Sequence, residues 1–185
     1  MSVEPSRRST LPVSHARALI VLNRQRTKKI NPPRFRQLIQ ALLEELELER
    51  VELGVHLVGT PEMTRLNETF LRHAGSTDVI TFDYGDGAWP ASGRTAPSTA
   101  PTPKSVHGEI FICVDEAVRQ ARRFGVTWQL EVARYVIHGL LHLIGFDDGT
   151  IAKRRRMKRE ENRCLRRLSR RFSLAQLAGP GRIPA

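Results

Sequence analysis

The chain has 185 residues, 40% of them hydrophobic, with 30 lysines and arginines against 19 aspartates and glutamates, a formal net charge of +11. That length fits one domain able to bury a sizeable core, no stretch approaches the about 20 apolar residues of a membrane span, and two cysteines without Cys-x-x-Cys spacing exclude a disulfide framework and a thiolate metal site. A positive surplus this large is the electrostatic footprint of a protein whose partner is a polyanion.

Residues 1–14 are polar and proline-bearing and read as a disordered N-terminus. Glu4, Pro5, Arg7 and Arg8 interrupt any secretory hydrophobic core there, so a cytoplasmic location is expected. Residues 18–22 form a short apolar run suited to a buried strand. Pro32 and Pro33 then open a helix to about Leu48, with Phe35, Leu38, Ile39, Leu42, Leu43 and Leu46 on one face. Val51, Leu53, Val55 and Leu57 alternate with Glu52, Gly54 and His56, the pattern of a strand with one side exposed, which makes His56 a surface residue rather than a ligand. A helix over residues 61–71 leads into a strand over 78–84. Residues 85–105 are rich in Gly, Ala, Pro, Ser and Thr and read as a long flexible loop inserted between two sheet strands. A strand over 110–114, with Cys113 as a core residue, and a helix over 115–124 follow. Thr127 is placed to cap the next helix, and a last helix spans 151–169. The expected fold is α/β (α+β), a small mixed sheet packed with helices in a single domain over 15–171, with 172–185 as a C-terminal tail.

The helix after Thr127 carries the chemistry. Four residues of α-helix turn the chain through about 400°, so His138 and His142 lie one above the other with both imidazoles reachable by one cation. This is the spacing of zincin-type helices. Val132, Ala133, Val136, Ile137, Leu140, Leu141, Leu143 and Ile144 mark the helix as buried, where two unpaired imidazoles are costly unless a metal or a backbone hydrogen bond satisfies them. Gly145 ends the helix by taking the left-handed conformation and swings the chain back over its last turn. Asp147 and Asp148 follow that reversal, where one carboxylate can complete a three-ligand site and the other cap the next helix. The residue after His138 is Gly139 and not the glutamate that serves zinc peptidases as general base, so the peptidase reading lacks its proton acceptor.

At this point the chain resembles the YbeY-type bacterial rRNA-maturation endoribonucleases, whose signature is similar to His-Gly-x-Leu-His-Leu-x-Gly-Tyr-Asp-His. Residues 138–147 fit it with Phe146 for tyrosine, and the family's third metal-binding histidine falls on Asp148. Leu66-Asn67 with Thr77-Asp78-Val79-Ile80-Thr81-Phe82, and Gly108-Glu109-Ile110, resemble two further family blocks in the same order. The resemblance implies one Zn²⁺ per chain held by His138, His142 and Asp148, with Mn²⁺ or another divalent ion possible. His107 ranks below Asp148 as a third ligand. Asp147 matches the signature's aspartate and is one catalytic candidate. The family's functional arginine falls on Leu71, which makes the neighbouring Arg72 the other.

The last helix concentrates the charge, and Lys153, Arg154, Arg155, Arg156 and Arg159 are its RNA-phosphate candidates, contacts that position a strand without reading sequence. Met157, Cys164, Leu165 and Leu168 supply its docking stripe. The resemblance implies a metal-dependent endoribonuclease acting on single-stranded rRNA, in small-subunit 3′-end maturation and ribosome quality control, with no DNA specificity and no membrane partner. The alternatives are a zinc-dependent metallopeptidase and a non-catalytic ribosome-binding module.

Overall fold

The computed structural model describes residues 17–85 and 104–180. In chain order the elements are β1 Arg17–Asn23, α1 Pro32–Glu45, β2 Arg50–Val58, α2 Thr60–Leu66, a π-helical turn Asn67–Leu71, β3 Val79–Asp83, β4 Ser105–Cys113, α3 Val114–Phe124, α4 Trp128–Leu143, α5 Ile151–Arg171 and a 3-10 turn Leu174–Leu177. The expected disordered N-terminus and nearly all of the expected inserted loop lie outside the described residues. Among the described residues no helix is long and apolar enough to cross a membrane.

The strands form one sheet in the order β1-β2-β4-β3, with β1, β2 and β4 parallel and β3 antiparallel to β4. Register matches Leu53 to Leu19, Val55 to Val21 and Ile110, and Leu57 to Ile112, so one face of the sheet is continuously aliphatic. α1 and α4 cover that face. Asn31 caps α1 by accepting from the Arg34 N–H, and Phe35, Leu38, Ile39 and Leu42 on the 3.6-residue stripe are fully buried with Val132, Val136, Ile137, Leu140 and Leu141 of α4. Truncating any of these leucines to alanine is expected to cost about 2–5 kcal/mol.

Two readings of the sequence are corrected here. β1 is not a buried strand, because it pairs only with β2 at the sheet edge, and Ile20 and Leu22 are 60% and 44% exposed. His56 is not a surface residue: it is 7% exposed. Its register partner on β4 is Phe111, whose ring stacks on the imidazole at 4.3 Å and 7°, while Arg24 and Glu109 hold the two ring nitrogens, each at 3.1 Å. Alternation assigns His56 to the outer face but is silent on what the neighbouring strand places beside it. Residues 172–180, within the expected C-terminal tail, pack back on the domain. Phe172 and Leu174 pack on the core, Leu177 is fully buried, and its carbonyl accepts from Asn31 N at 2.9 Å.

Candidate metal centre

Thr127 accepts from the Leu130 N–H at 3.3 Å and starts α4, which presses against β4 and β3. Contact is closest at Gly139, where an added Cβ would lie 2.7 Å from Ile110 Cγ2 and 3.3 Å from Thr81 Cγ2. A side chain there would have to displace Ile110, so the close packing disfavours a glutamate beside His138. At the other end Gly145 takes φ 89°, the Gly145 N–H bonds to the His142 carbonyl and the Phe146 N–H to the Leu141 carbonyl, both at 2.9 Å. This paired closure reverses the chain as the glycine foretold. It also aims the Phe146 carbonyl at His142 Nδ1, at 3.1 Å.

His138 and His142 present their Nε2 atoms to each other at 3.0 Å, with the ring planes nearly perpendicular at 88°. The opposite nitrogens both face acceptors: His138 Nδ1 lies 2.8 Å from the Glu161 carboxylate, and His142 Nδ1 faces the Phe146 carbonyl. Each Nδ1 therefore carries the proton that its acceptor receives, which leaves the Nε2 atoms to face each other. A shared proton or a metal cation between them satisfies both. Asp148 is the third candidate donor, and one ligand atom from each of the three residues lies within 4.8 Å of the others. Two imidazole nitrogens and one carboxylate oxygen are a donor set that fits zinc and tolerates other divalent ions.

Electrostatics favour a cation at the same point. Burial opposes charge on His138, but the hydrogen bond and charge of Glu161, with Asp78 and Asp148 behind them, outweigh it and raise the imidazole above its usual pKa. Burial likewise works against the Glu161 carboxylate. The His138 hydrogen bond and the Lys158 ammonium overcome it, and Glu161 stays below the usual carboxylate range.

Glu161 is the residue that sequence reasoning missed. It is 5% exposed and sits on α5 four residues after Met157 and three before Cys164, inside the stripe that docks the helix. Lys158 bonds it at 3.1 Å and Arg134 stands 3.9 Å away. A carboxylate at a core-facing helix position was the available signal, because such a group is kept only where it has partners.

Other candidates fall elsewhere. Asp147 does not join the histidines: it accepts from Gly149 N at 2.9 Å and pairs with Lys153 at 2.7 Å, and that lysine with the turn N–H draws its pKa down to about 2. It shapes the turn before α5, whose cap is Thr150. His107 lies 3.4 Å from Glu52, beneath the Tyr84 ring, on the wall of a separate cavity of about 920 Å³. Arg72 is exposed at the end of the π-helical turn with φ 57°, and no hydrogen bond or ion pair links it to the histidines. Lys153, Arg154, Arg155, Arg156 and Arg159 are all exposed along the first turns of α5. Arg156 lies over the Phe146 ring at 5.0 Å, whereas Arg154, Arg155 and Arg159 have no ion-pair partner among the described residues.

The family model for "Endoribonuclease YbeY" matches residues 20–169. Relatives carrying that name include one from Salinibacter ruber, 27% identical over 155 residues that cover 84% of this chain and 94% of that protein. Another from Aquifex aeolicus is 29% identical, covering 81% and 92%. One from Myxococcus xanthus is 38% identical over 68% of this chain and 40% of a longer protein. A solution structure from Thermotoga maritima superposes with a TM-score of 0.58 over 90% of this chain and 99% of that one, at 22% identity, and so shares the fold.

Proposed function

The chain belongs to the YbeY family of endoribonucleases, and on that footing we propose that it is a metal-dependent nuclease that cuts single-stranded RNA, acting in the cytoplasm on small-subunit rRNA near its 3′ end and in ribosome quality control. The observation that carries this reading is the pair of Nε2 atoms 3.0 Å apart beside Asp148, each fixed by an acceptor on its far nitrogen. A divalent ion, zinc first, would be held by His138, His142 and Asp148, and supplies polarisation of a phosphate oxygen and acidification of water.

The chain's own residues do the rest. Glu161 and the Phe146 carbonyl hold both imidazoles in the tautomer that leaves Nε2 free, which removes the cost of ordering them at the moment of binding. The guanidinium groups of Arg154, Arg155 and Arg159, without an ion pair among the described residues, offset phosphate charge and hold the strand together with Lys153 and Arg156. Arg72, exposed at the end of the π-helical turn, is a further candidate for contact with the strand, and Asp147 acts by keeping the turn that carries Asp148 in place.

A peptidase reading is opposed by Gly139, since the close packing against Ile110 disfavours a glutamate at the position such a base occupies. The deciding assay incubates the protein with single-stranded RNA and with casein, each with and without chelator. Chelator-sensitive loss of RNA with casein intact is expected; intact RNA, or casein cleavage, overturns the proposal. Folded His138→Ala and His142→Ala proteins serve as controls, because RNA loss equal to wild type would mean a contaminating nuclease and favour a non-catalytic ribosome-binding module.

A further inference from the structure

Among the described residues three aromatic rings are more than half exposed, Phe70 at 58%, Tyr84 at 51% and Phe124 at 64%. Two of them are accounted for. The Tyr84 hydroxyl donates to Glu109 at 2.9 Å and its ring meets His107 edge-on. Phe124 has Arg123 over its ring at 5.5 Å and precedes the start of α4, whereas His138 and His142 lie toward the opposite end of that helix. Phe70 meets one ring, Phe82, at 5.0 Å and 76°, and has no other ring or cation partner among the described residues. A single neighbour in a T-shaped contact leaves at least one face of the Phe70 ring uncovered.

This ring is not carried on a loose loop. It belongs to the π-helical turn Asn67–Leu71, a rare geometry that recurs at functional sites. Asn67 is 5% exposed and clamps the turn: its side-chain N–H donates to the Gly75 carbonyl at 2.8 Å, and its own carbonyl accepts from the Arg72 and His73 N–H groups. Arg72 closes the turn at φ 57°, a conformation that a non-glycine residue keeps only where its surroundings impose it. Phe70 is therefore held outward before any ligand arrives, which removes part of the cost of ordering it on binding.

Contacts connect Phe70 to the metal centre. Thr81 of β3 faces α4, since its Cγ2 lies 3.3 Å from where Gly139, the neighbour of His138, would carry a Cβ. Phe82, the next residue, faces the other side of the sheet, where it packs on Phe111 at 5.7 Å and receives Phe70. β3 is the edge of the sheet, so the way from Phe70 to the histidines rounds one strand. Phe70 and the exposed Leu71 together offer a small fraction of the about 800 Å² that each partner gives to a stable protein interface. That area suits one heterocycle. Every base has a π-face and stacks on an open aromatic ring whatever its sequence, and Arg72, exposed two residues on, suits the flanking phosphate. We propose that Phe70 is a stacking platform for one base of the single-stranded RNA, holding the strand as it rounds β3 toward the metal centre. This rests on the RNA-cleaving reading given above.

The test is a binding cycle. Affinities of the metal-loaded wild type, Phe70→Leu and Phe70→Trp are measured by fluorescence anisotropy for a short single-stranded RNA and for copies with one abasic nucleotide at successive positions, with brief cold incubation and the RNA checked for integrity. In wild type at least one abasic position should weaken binding about tenfold, the worth of one base stacked on an aromatic ring. Phe70→Leu, which keeps an apolar side chain against Phe82, should lose the same about tenfold on intact RNA, ignore that abasic position and keep the wild-type dependence on salt, because stacking releases no counterions. Phe70→Trp should restore both the affinity and the abasic penalty. Zinc affinity and thermal unfolding should match wild type in both variants. Wild-type RNA affinity in Phe70→Leu, additive losses, or a flat abasic scan in wild type would overturn the proposal. If Phe70→Leu does not fold, photocrosslinking of wild type to RNA bearing iodouracil at the sensitive position decides: the adduct is expected on Phe70, and its absence there overturns the assignment. Wild-type RNA cleavage is followed in parallel: cleavage with a flat scan sinks this proposal alone, and neither cleavage nor RNA binding sinks the parent reading too.

Discussion

α4 and α5 lie side by side and solve opposite problems. α4 is apolar on almost every side, takes its place by burial against the sheet, and spends that placement on two imidazoles. α5 is basic over most of its surface and docks through a stripe of five buried residues, one of which is Glu161. Its arginines divide by face. Arg163, Arg167 and Arg171, four residues apart, pair with Glu45 and Glu44 of α1 at 2.7–2.9 Å, while Arg154, Arg155 and Arg159 in the first half, and Arg166 and Arg170 further along, have no ion-pair partner among the described residues. A charge surplus read from composition is therefore two populations, one that fastens a helix and one left for a polyanion. Glu161 of α5 meets α4 at His138, with Arg134 of α4 also close to it at 3.9 Å.

The sharpest break comes from the α4 side. His138→Ala should remove one of three donors and lower divalent-ion affinity and RNA cleavage by on the order of a hundredfold or more, with the fold retained; isothermal titration with zinc and a gel assay on one RNA would read it, and near-normal zinc affinity would dismiss the proposed site. From the α5 side, Glu161→Gln keeps the shape but weakens the hold on the imidazole, and metal affinity should fall about tenfold. The same variant carries a pH signature in chelator-treated protein. Glu161 has a folded pKa below its ordinary 4.5, so its ionised form stabilises the fold above that value and the benefit fades as pH falls through the folded pKa. The difference in melting temperature between wild type and Glu161→Gln should accordingly be largest near neutrality and close in acid; a gap that widens in acid contradicts the assignment.

Smaller effects test the division of the arginines. Replacing Arg154, Arg155 and Arg159 together by alanine should reduce the slope of log affinity against log salt for single-stranded RNA by roughly two, as loss of three phosphate contacts requires. Arg167→Ala should leave that slope unchanged and cost stability by no more than about 1 kcal/mol, because its pair with Glu45 is more than half exposed on the arginine side. Equal slopes for both proteins would erase the distinction between the two groups.

Much of the centre was legible before any coordinates. The His138/His142 spacing, the left-handed Gly145 and the returning aspartates all depend on geometry within about ten residues of chain, and local backbone rules fix such geometry. Even so, the two aspartates differ in their neighbours: Lys153 and the Gly149 N–H take Asp147, whereas a carboxylate oxygen of Asp148 lies within 4.8 Å of the imidazole nitrogens. The alternating strand at 51–57 and the amphipathic α1 were equally readable. The burial of His56 was not, because it depends on Phe111 arriving beside it from a strand more than fifty residues away.

By itself, then, the sequence determined the elements, the paired imidazoles and the polyanion-seeking charge, since each follows from periodicity or composition along one stretch of chain. Only the tertiary structure decided that Glu161 orients His138, that Gly139 packs tightly against Ile110, that β1 is an edge, and which arginines lack an ion pair among the described residues. Those outcomes rest on register and contact between segments distant in the chain, and no local pattern encodes which distant side chain will fill a given space.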